Sequence, residues 1–228
     1  MIILGLTGSI GMGKSTAAEM FRRMGVPVYD SDSSVHVVLG KGGAAVKMIE
    51  ASFPGVVVDG VVDRDALGEL VFADDAALKT LESIVHPMVR QIQDNFLRKC
   101  AARRLPLIVL DVPLLFEVKL DKRCDASLVV SAPHFIQAAR VMARPGMTRE
   151  KFDGILARQL PDAMKRRRAD FVVPSGRGLA ATLRHLRRIA RLMKKKPATR
   201  WPPNAYMTRT SQNTNSRRRV HARGRLRY

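Results

Sequence analysis

Acidic residues all but vanish from the last quarter of this chain. Residues 165–228 carry 20 lysines and arginines against one carboxylate, Asp170, whereas residues 1–164 hold 20 basic and 19 acidic side chains. The formal net charge of +20 therefore belongs to one end, and it bears on partners rather than on fold. Cysteine is scarce as well. Cys100 and Cys124 stand in neither a metal-ligand nor a C-x-x-C spacing, so they read as unpaired thiols of a reducing cytoplasm. No apolar run approaches the roughly 18–20 residues that cross a bilayer, which excludes a membrane-spanning helix. No basic flank precedes the apolar N-terminus, which reads as a strand and not as a secretion signal. No internal repeat is visible, and 228 residues allow one large domain or a core with an insertion.

What is present starts at the first loop. Gly8-Ser9-Ile10-Gly11-Met12-Gly13-Lys14-Ser15, followed by Thr16, fits the pattern G-x-x-x-x-G-K-[ST]. The apolar run Ile2–Leu6 before it predicts a buried strand. Lys14–Met24 after it predicts a helix with Ala17, Ala18, Met20, Phe21 and Met24 at helical spacings. A glycine loop in that setting folds its N–H groups around phosphates, at the positive end of the helix dipole. Lys14 would reach the β- and γ-phosphates and Ser15 would hold Mg²⁺. The implied ligand is a nucleoside triphosphate.

Short β-branched runs recur at Val26–Asp30, Leu107–Asp111, Ala126–Val130 and Phe171–Val173, with helical patterns between them. That alternation predicts an α/β fold: a parallel five-stranded sheet of the P-loop type with helices on both faces. The stretch between the second and third strands differs, and reads as a subdomain at about 33–105. It has a helix over 44–53, a hairpin turning at Asp59-Gly60, a short helix capped by Asp63, and a helix over 75–102 interrupted at Pro87. Residues 134–169 are helical and arginine-rich. Leu179–Met193 is amphipathic, with an apolar stripe at 179, 183, 186, 189 and 192 opposite Arg184, Arg187, Arg188 and Arg191. Residues 1–32 and 106–193 thus make the core. From Pro197 to Tyr228 no apolar period survives, which predicts a disordered basic tail. Such a tail suits nucleic-acid phosphates or bulk solvent, and solvent is the expectation.

Ligands of open α/β sheets bind at the carboxyl ends of strands. Asp30-Ser31-Asp32 follows the second strand there, and Asp111-Val112-Pro113-Leu114-Leu115 follows the third. Beside a phosphate cradle, carboxylates can hold Mg²⁺ and orient an acceptor hydroxyl, whose proton one of them accepts. Ser15 and Asp111 are the candidate metal ligands, and the pair Asp30 and Asp32 holds the candidate base. Most of the arginines over 134–169 read as a solvated face, with one or two turned inward.

The ordered set of motifs resembles the dephospho-CoA kinase family over about residues 1–190. It comprises Leu6-Thr7-Gly8 through Thr16, Gly25-Val26-Pro27-Val28-Tyr29-Asp30-Ser31-Asp32, Val71-Phe72-Ala73-Asp74 and His86-Pro87. It continues with Asp111-Val112-Pro113-Leu114-Leu115-Phe116-Glu117, Arg140 with Met142-Ala143-Arg144, and Arg158-Gln159. The resemblance implies a nucleotide-binding core, a helical dephospho-CoA subdomain at 33–105, and an arginine-bearing lid at about 140–169. It implies ATP as co-substrate, Mg²⁺, a cytoplasmic location and transfer to the ribose 3′-hydroxyl of dephospho-CoA. By the same resemblance Asp32, with Asp30 in support, activates the acceptor. Arg140, joined by Arg144, meets the ATP phosphates, and Thr7, His86 and Leu114 belong to the acceptor side. One departure stands out. Many relatives carry Asp-Asn after the last strand, near adenine, where this chain has Val173-Pro174-Ser175-Gly176. The rival expectations are a nucleoside kinase and a nucleic-acid-binding protein that uses the P-loop for regulation.

Overall fold

The structure, a computed structural model, describes residues 1–202. Strand β1 (Ile2–Thr7) leads through the glycine loop into α1 (Lys14–Arg23) and then β2 (Val28–Asp30). A detour follows: α2 (Ser31–Leu39), α3 (Val46–Ser52), hairpin strands β3 (Val57–Val58) and β4 (Val61–Val62), α4 (Arg64–Ala73) and α5 (Asp75–Ala102). The chain returns as β5 (Leu107–Asp111) and β6 (Ala126–Ser131). It continues with α6 (His134–Met142), α7 (Arg149–Ala157), α8 (Asp162–Arg168), β7 (Phe171–Pro174) and α9 (Leu179–Lys194).

The main sheet has the order β2-β5-β1-β6-β7, and each of its strand pairs is parallel. The five-stranded sheet expected from the sequence is therefore the one found. All six residues of β1 are buried, as a central strand covered on both faces requires. Successive side chains point to opposite faces. Ile2, Leu4 and Leu6 join Ala17, Ala18 and Phe21 of α1 and Leu186, Ile189 and Met193 of α9. Ile3 joins Leu97 and Cys100 of α5, with Ile108 and Leu110 of β5, on the other face. Phe21 is fully buried, and its truncation to alanine would cost about 3–5 kcal/mol.

The detour has a core of its own, built on Val38, Ile49, Phe53, Val62, Leu67, Ile84 and Val85. Its hairpin turns at Asp59-Gly60, both at positive φ, as a two-residue turn matched to strand twist requires. Asp63 caps α4, its carboxylate accepting from the amides of Asp65 and Ala66. Helix α5 corrects one expectation. It runs unbroken through Pro87 for 28 residues, about 42 Å at 1.5 Å per residue. Ile84 and Val85 pack in the insertion on one side of Pro87 and Leu97 and Cys100 pack on the sheet beyond it, which outweighs one lost backbone bond. The second half of α5 thus serves the main core.

Three further expectations shift. The helical stretch 134–169 is three helices, parted at Pro145-Gly146, with Gly146 at φ 70°, and at Leu160-Pro161. On α9 the inward stripe is Thr182, Leu186, Ile189, Ala190 and Met193. Leu179 and Leu192 are exposed instead: Leu192, six residues from Leu186, is turned about 120° off the contact line, and Leu179 is the first residue of the helix, at its end. Residues 197–202, expected in the tail, are docked. Asp125 Oδ1 accepts from the Thr199 amide, the Thr199 hydroxyl and the Arg200 amide, at 2.7, 2.9 and 3.0 Å. Trp201 packs on the core that contains Ile3 and Leu97. The rest of the expected tail, 203–228, lies outside the described residues.

Candidate active site

The glycine loop is shaped by what its glycines must avoid. Gly11 and Gly13 sit at φ 75° and 90°, a region that side-chain-bearing residues enter at a cost. A Cβ on Gly8 would stand 2.7 Å from the Val130 carbonyl of β6. The loop ends at Gly13, which N-caps α1 with no side-chain hydrogen bond and no acid in the first turn. The first N–H groups of α1 and its dipole thus face the cavity without a built-in anion.

That cavity has a volume of about 530 Å³ and is open to solvent. It brings together Gly8, Ser9, Ile10, Gly11, Gly13, Lys14, Ser15 and Thr16 with Asp32, Arg140 and Arg144. So two of the arginines from 134–169 do reach it. Lys14 Nζ meets Asp111 Oδ1 at 2.7 Å, with Lys14 at 15% side-chain exposure and Asp111 at 3%. Burial pushes the Asp111 carboxyl above its ordinary range, and the Lys14 ammonium offsets part of that. The pair fixes the lysine at the mouth of β5 beside β1.

Several expected residues lie elsewhere. Thr7 is fully buried, and its hydroxyl donates to the Pro113 carbonyl at 2.9 Å, which braces the loop after β5. The Met12 side chain is buried, with Sδ accepting from the Ala132 amide at 3.0 Å; it anchors the loop to the strand behind. Asp30 is the N-cap of α2, accepting from the Ser33 amide at 3.0 Å, which leaves Asp32 as the aspartate of that pair on the cavity. His86 is exposed on α5, and Leu114 is half-exposed next to the cavity-lining Pro113.

Other side chains at the site had no role assigned from the sequence, although Glu117 and Gln159 stand in its motifs. Gln159 Oε1 accepts from the Ile10 amide at 3.1 Å, and Gln137 Nε2 donates to the Ile10 carbonyl at 2.8 Å. The segment around α7 thereby touches the phosphate loop directly. Ser175 was visible in the sequence only as a departure from the usual Asp-Asn. It is buried beside Gly13 and bonded to both the loop and Arg140. Lys165, one basic residue in a run of four, is fully buried. Its ammonium meets Glu117 Oε1 at 3.0 Å and the Pro113 carbonyl at 3.1 Å. Glu117 also accepts from the Leu160 amide at 2.8 Å. Burial alone would raise the Glu117 pKa, but Leu160 and Lys165 together hold it below the ordinary glutamate range. The two cysteines are buried and unpaired, and burial pushes the Cys124 thiol up to about 12, which makes it inert.

A glycine loop between a central parallel strand and a helix, with a lysine, an exposed hydroxyl and a carboxylate around one cavity, defines a P-loop nucleotide-binding protein of the kinase class. The family model for dephospho-CoA kinase matches residues 2–181. The chain belongs to the dephospho-CoA kinase family. It is 61% identical over 166 residues to a dephospho-CoA kinase from Paramagnetospirillum magneticum, covering 73% of this chain and 78% of that one. It is 53% identical over 201 residues to another from Rhodopseudomonas palustris, covering 86% and 100%. Among solved structures, a Thermus thermophilus protein aligns with a TM-score of 0.77 at 37% identity, over 86% of this chain and 98% of that chain. A Campylobacter jejuni dephospho-CoA kinase shares the fold at a TM-score of 0.64 and 23% identity, over 85% and 97%. Among the described residues no helix is long and apolar enough to cross a membrane.

Proposed function

We propose that this chain transfers the γ-phosphoryl group of ATP to the ribose 3′-hydroxyl of dephospho-CoA, forming CoA and ADP. The observation that carries the reading is that Asp32, in the first turn of α2, lines the same cavity as Lys14, Ser15 and Thr16. An acceptor hydroxyl between them sits beside a carboxylate and in front of a phosphate cradle. The triphosphate lies along residues 8–16, its charge met by backbone amides, Lys14, Arg140 and Arg144. Ile155 and Leu179 supply the apolar wall that suits a purine face. Asp32 hydrogen-bonds the attacking hydroxyl and takes its proton as the O–P bond forms. The helical insertion, with its separate core, holds the rest of dephospho-CoA.

The donor set fits Mg²⁺. Ser15 offers a hydroxyl at the first turn of α1 and Asp32 and Asp111 offer carboxylates, all hard oxygen donors. Among the described residues no cluster of three acids or histidines exists, and Mg²⁺ beside phosphates needs only one or two protein ligands. Ser15 and Asp111 would hold the ion, and bound there it would neutralise charge on the β- and γ-phosphates.

The test is ADP release with ATP and Mg²⁺, comparing dephospho-CoA with adenosine and other nucleosides. Turnover selective for dephospho-CoA, with a product accepted by CoA-dependent enzymes, is expected. Faster turnover of nucleosides would assign a different acceptor to the same phosphoryl-transfer site.

A further inference from the structure

The Arg140 guanidinium reaches from the last turn of α6 to the junction of β7 and the glycine loop. Its Nη1 donates to Ser175 Oγ at 3.0 Å and to the Gly11 carbonyl at 3.4 Å, and its Nη2 donates to the Ser175 carbonyl at 2.9 Å. Each acceptor is a neutral oxygen. No carboxylate stands within ion-pair distance of Arg140 among the described residues, although the residue lines the cavity that Lys14 also lines. Ser175 Oγ in turn donates to the Met12 carbonyl at 2.6 Å. The hydroxyl is thus committed in one sense, accepting from the arginine and giving its proton to the phosphate loop. Its backbone amide is tied to the Ser131 carbonyl of β6 at 2.8 Å, so the relay rests on the sheet.

We infer that Ser175 is a positioning residue that aims Arg140 at the phosphates while leaving its positive charge unspent. A carboxylate at position 175 would hold the guanidinium more tightly, but it would cancel the charge that a triphosphate needs and would repel the Met12 carbonyl. An alanine would leave Arg140 with one acceptor from residue 175 instead of two and would strand the Met12 carbonyl without its buried donor. Serine alone of these three both orients and preserves the charge. A preformed donor of this kind needs no reorganisation when the ligand's charge arrives. This inference rests on the phosphate-binding part of the proposed function and not on the identity of the acceptor.

The test is a double-mutant cycle between Ser175→Ala and Arg140→Ala, read as ATP affinity by calorimetry and as kcat and KM with dephospho-CoA. Ser175→Ala is expected to weaken ATP binding about 3- to 10-fold in the otherwise native protein. In the Arg140→Ala background it should cost less than twofold, because the tether then has nothing to aim. Equal costs in both backgrounds, or tighter ATP binding in Ser175→Ala, would overturn the inference in favour of a purely structural hydroxyl. Ser175→Asp supplies a second arm with a different sign of charge: it should bind ATP more weakly than Ser175→Ala, and an unchanged or tighter affinity would count against charge preservation. Far-ultraviolet dichroism and melting temperature identify any variant that fails to fold, and Ser175→Cys, which keeps a weak donor, then takes its place in the cycle. Should dephospho-CoA prove not to be the acceptor, the affinity arm still reads the tether, so the two failures are distinguishable.

Discussion

Arginine is used in two opposite ways on this molecule. At the cavity, Arg140 is held by the Ser175 hydroxyl, the Ser175 carbonyl and the Gly11 carbonyl, in a setting shared with Lys14. On the outer face of α9, Arg184, Arg187, Arg188 and Arg191 are exposed along one stripe with Lys195 and edge a surface groove of about 430 Å³. Spaced at three and four residues, these like charges cost the helix about 0.2–0.5 kcal/mol per pair. The two regions teach that charge density alone does not make a site. Solvated arginines are screened within about 10 Å at ordinary salt, whereas an arginine fixed by neutral acceptors beside a cavity delivers its charge at one place.

The sharpest way to break the comparison is to remove chemistry from the cavity. Asp32→Asn should fold and still bind ATP, while kcat falls by about 10²- to 10⁴-fold. Steady-state kinetics beside calorimetric ATP affinity would check this, and retained turnover would remove Asp32 from its role. Next comes the lock behind the site. Lys165→Met strands the Glu117 carboxylate and should lower stability by about 3 kcal/mol, measured by urea denaturation. The same pair predicts a pH dependence. Because the folded Glu117 pKa is depressed, its contribution is present above the unfolded glutamate pKa, near 4.3, and is lost as pH falls through the lower folded value. Glu117→Gln should remove that acid-side loss from the melting curve; an identical acid profile in the variant would show that other carboxylates carry it.

A smaller effect is expected from the docked residues 197–202. A chain ending at 202 should keep the stability of the full protein, whereas one ending at 196 loses Trp201 packing and the bonds to Asp125. The shorter form should be less stable by about 1–3 kcal/mol, readable in parallel urea titrations. The smallest change is expected on α9. Replacing Arg184, Arg187, Arg188 and Arg191 together by glutamine should leave kcat/KM for dephospho-CoA within about twofold and raise helix stability by a few tenths of a kcal/mol per relieved pair. A large loss of turnover there would erase the distinction between the two arginine sets.

Much of the fold was legible because its signals are local. The strand at Ile2–Thr7, the loop of Gly8–Ser15 and the helix after it form a continuous pattern. The caps at Asp30 and Asp63 and the turn at Asp59-Gly60 also need only neighbours to act. The errors arose where distant packing decides. Pro87 reads as a break until the two halves of α5 are seen to pack in separate cores. Leu192 counts as stripe until Leu186 sets the rotation of α9 and turns it to solvent.

By itself the sequence determined the chemistry on offer: a phosphate loop, an aspartate after β2, a buried parallel sheet and a basic end with almost no acid. Those follow from residue type and short-range periodicity, which backbone sterics and hydrogen bonding translate directly. Only the tertiary structure decided which members of each set act together. Asp32 faces the cavity while Asp30 caps a helix, Arg140 is bonded to the phosphate loop while Arg188 edges the groove on α9, and Lys165 is buried within a basic run. The reason is physical. A side chain's role depends on what stands opposite it, and 35 residues separate Arg140 from Ser175, as 97 separate Lys14 from Asp111.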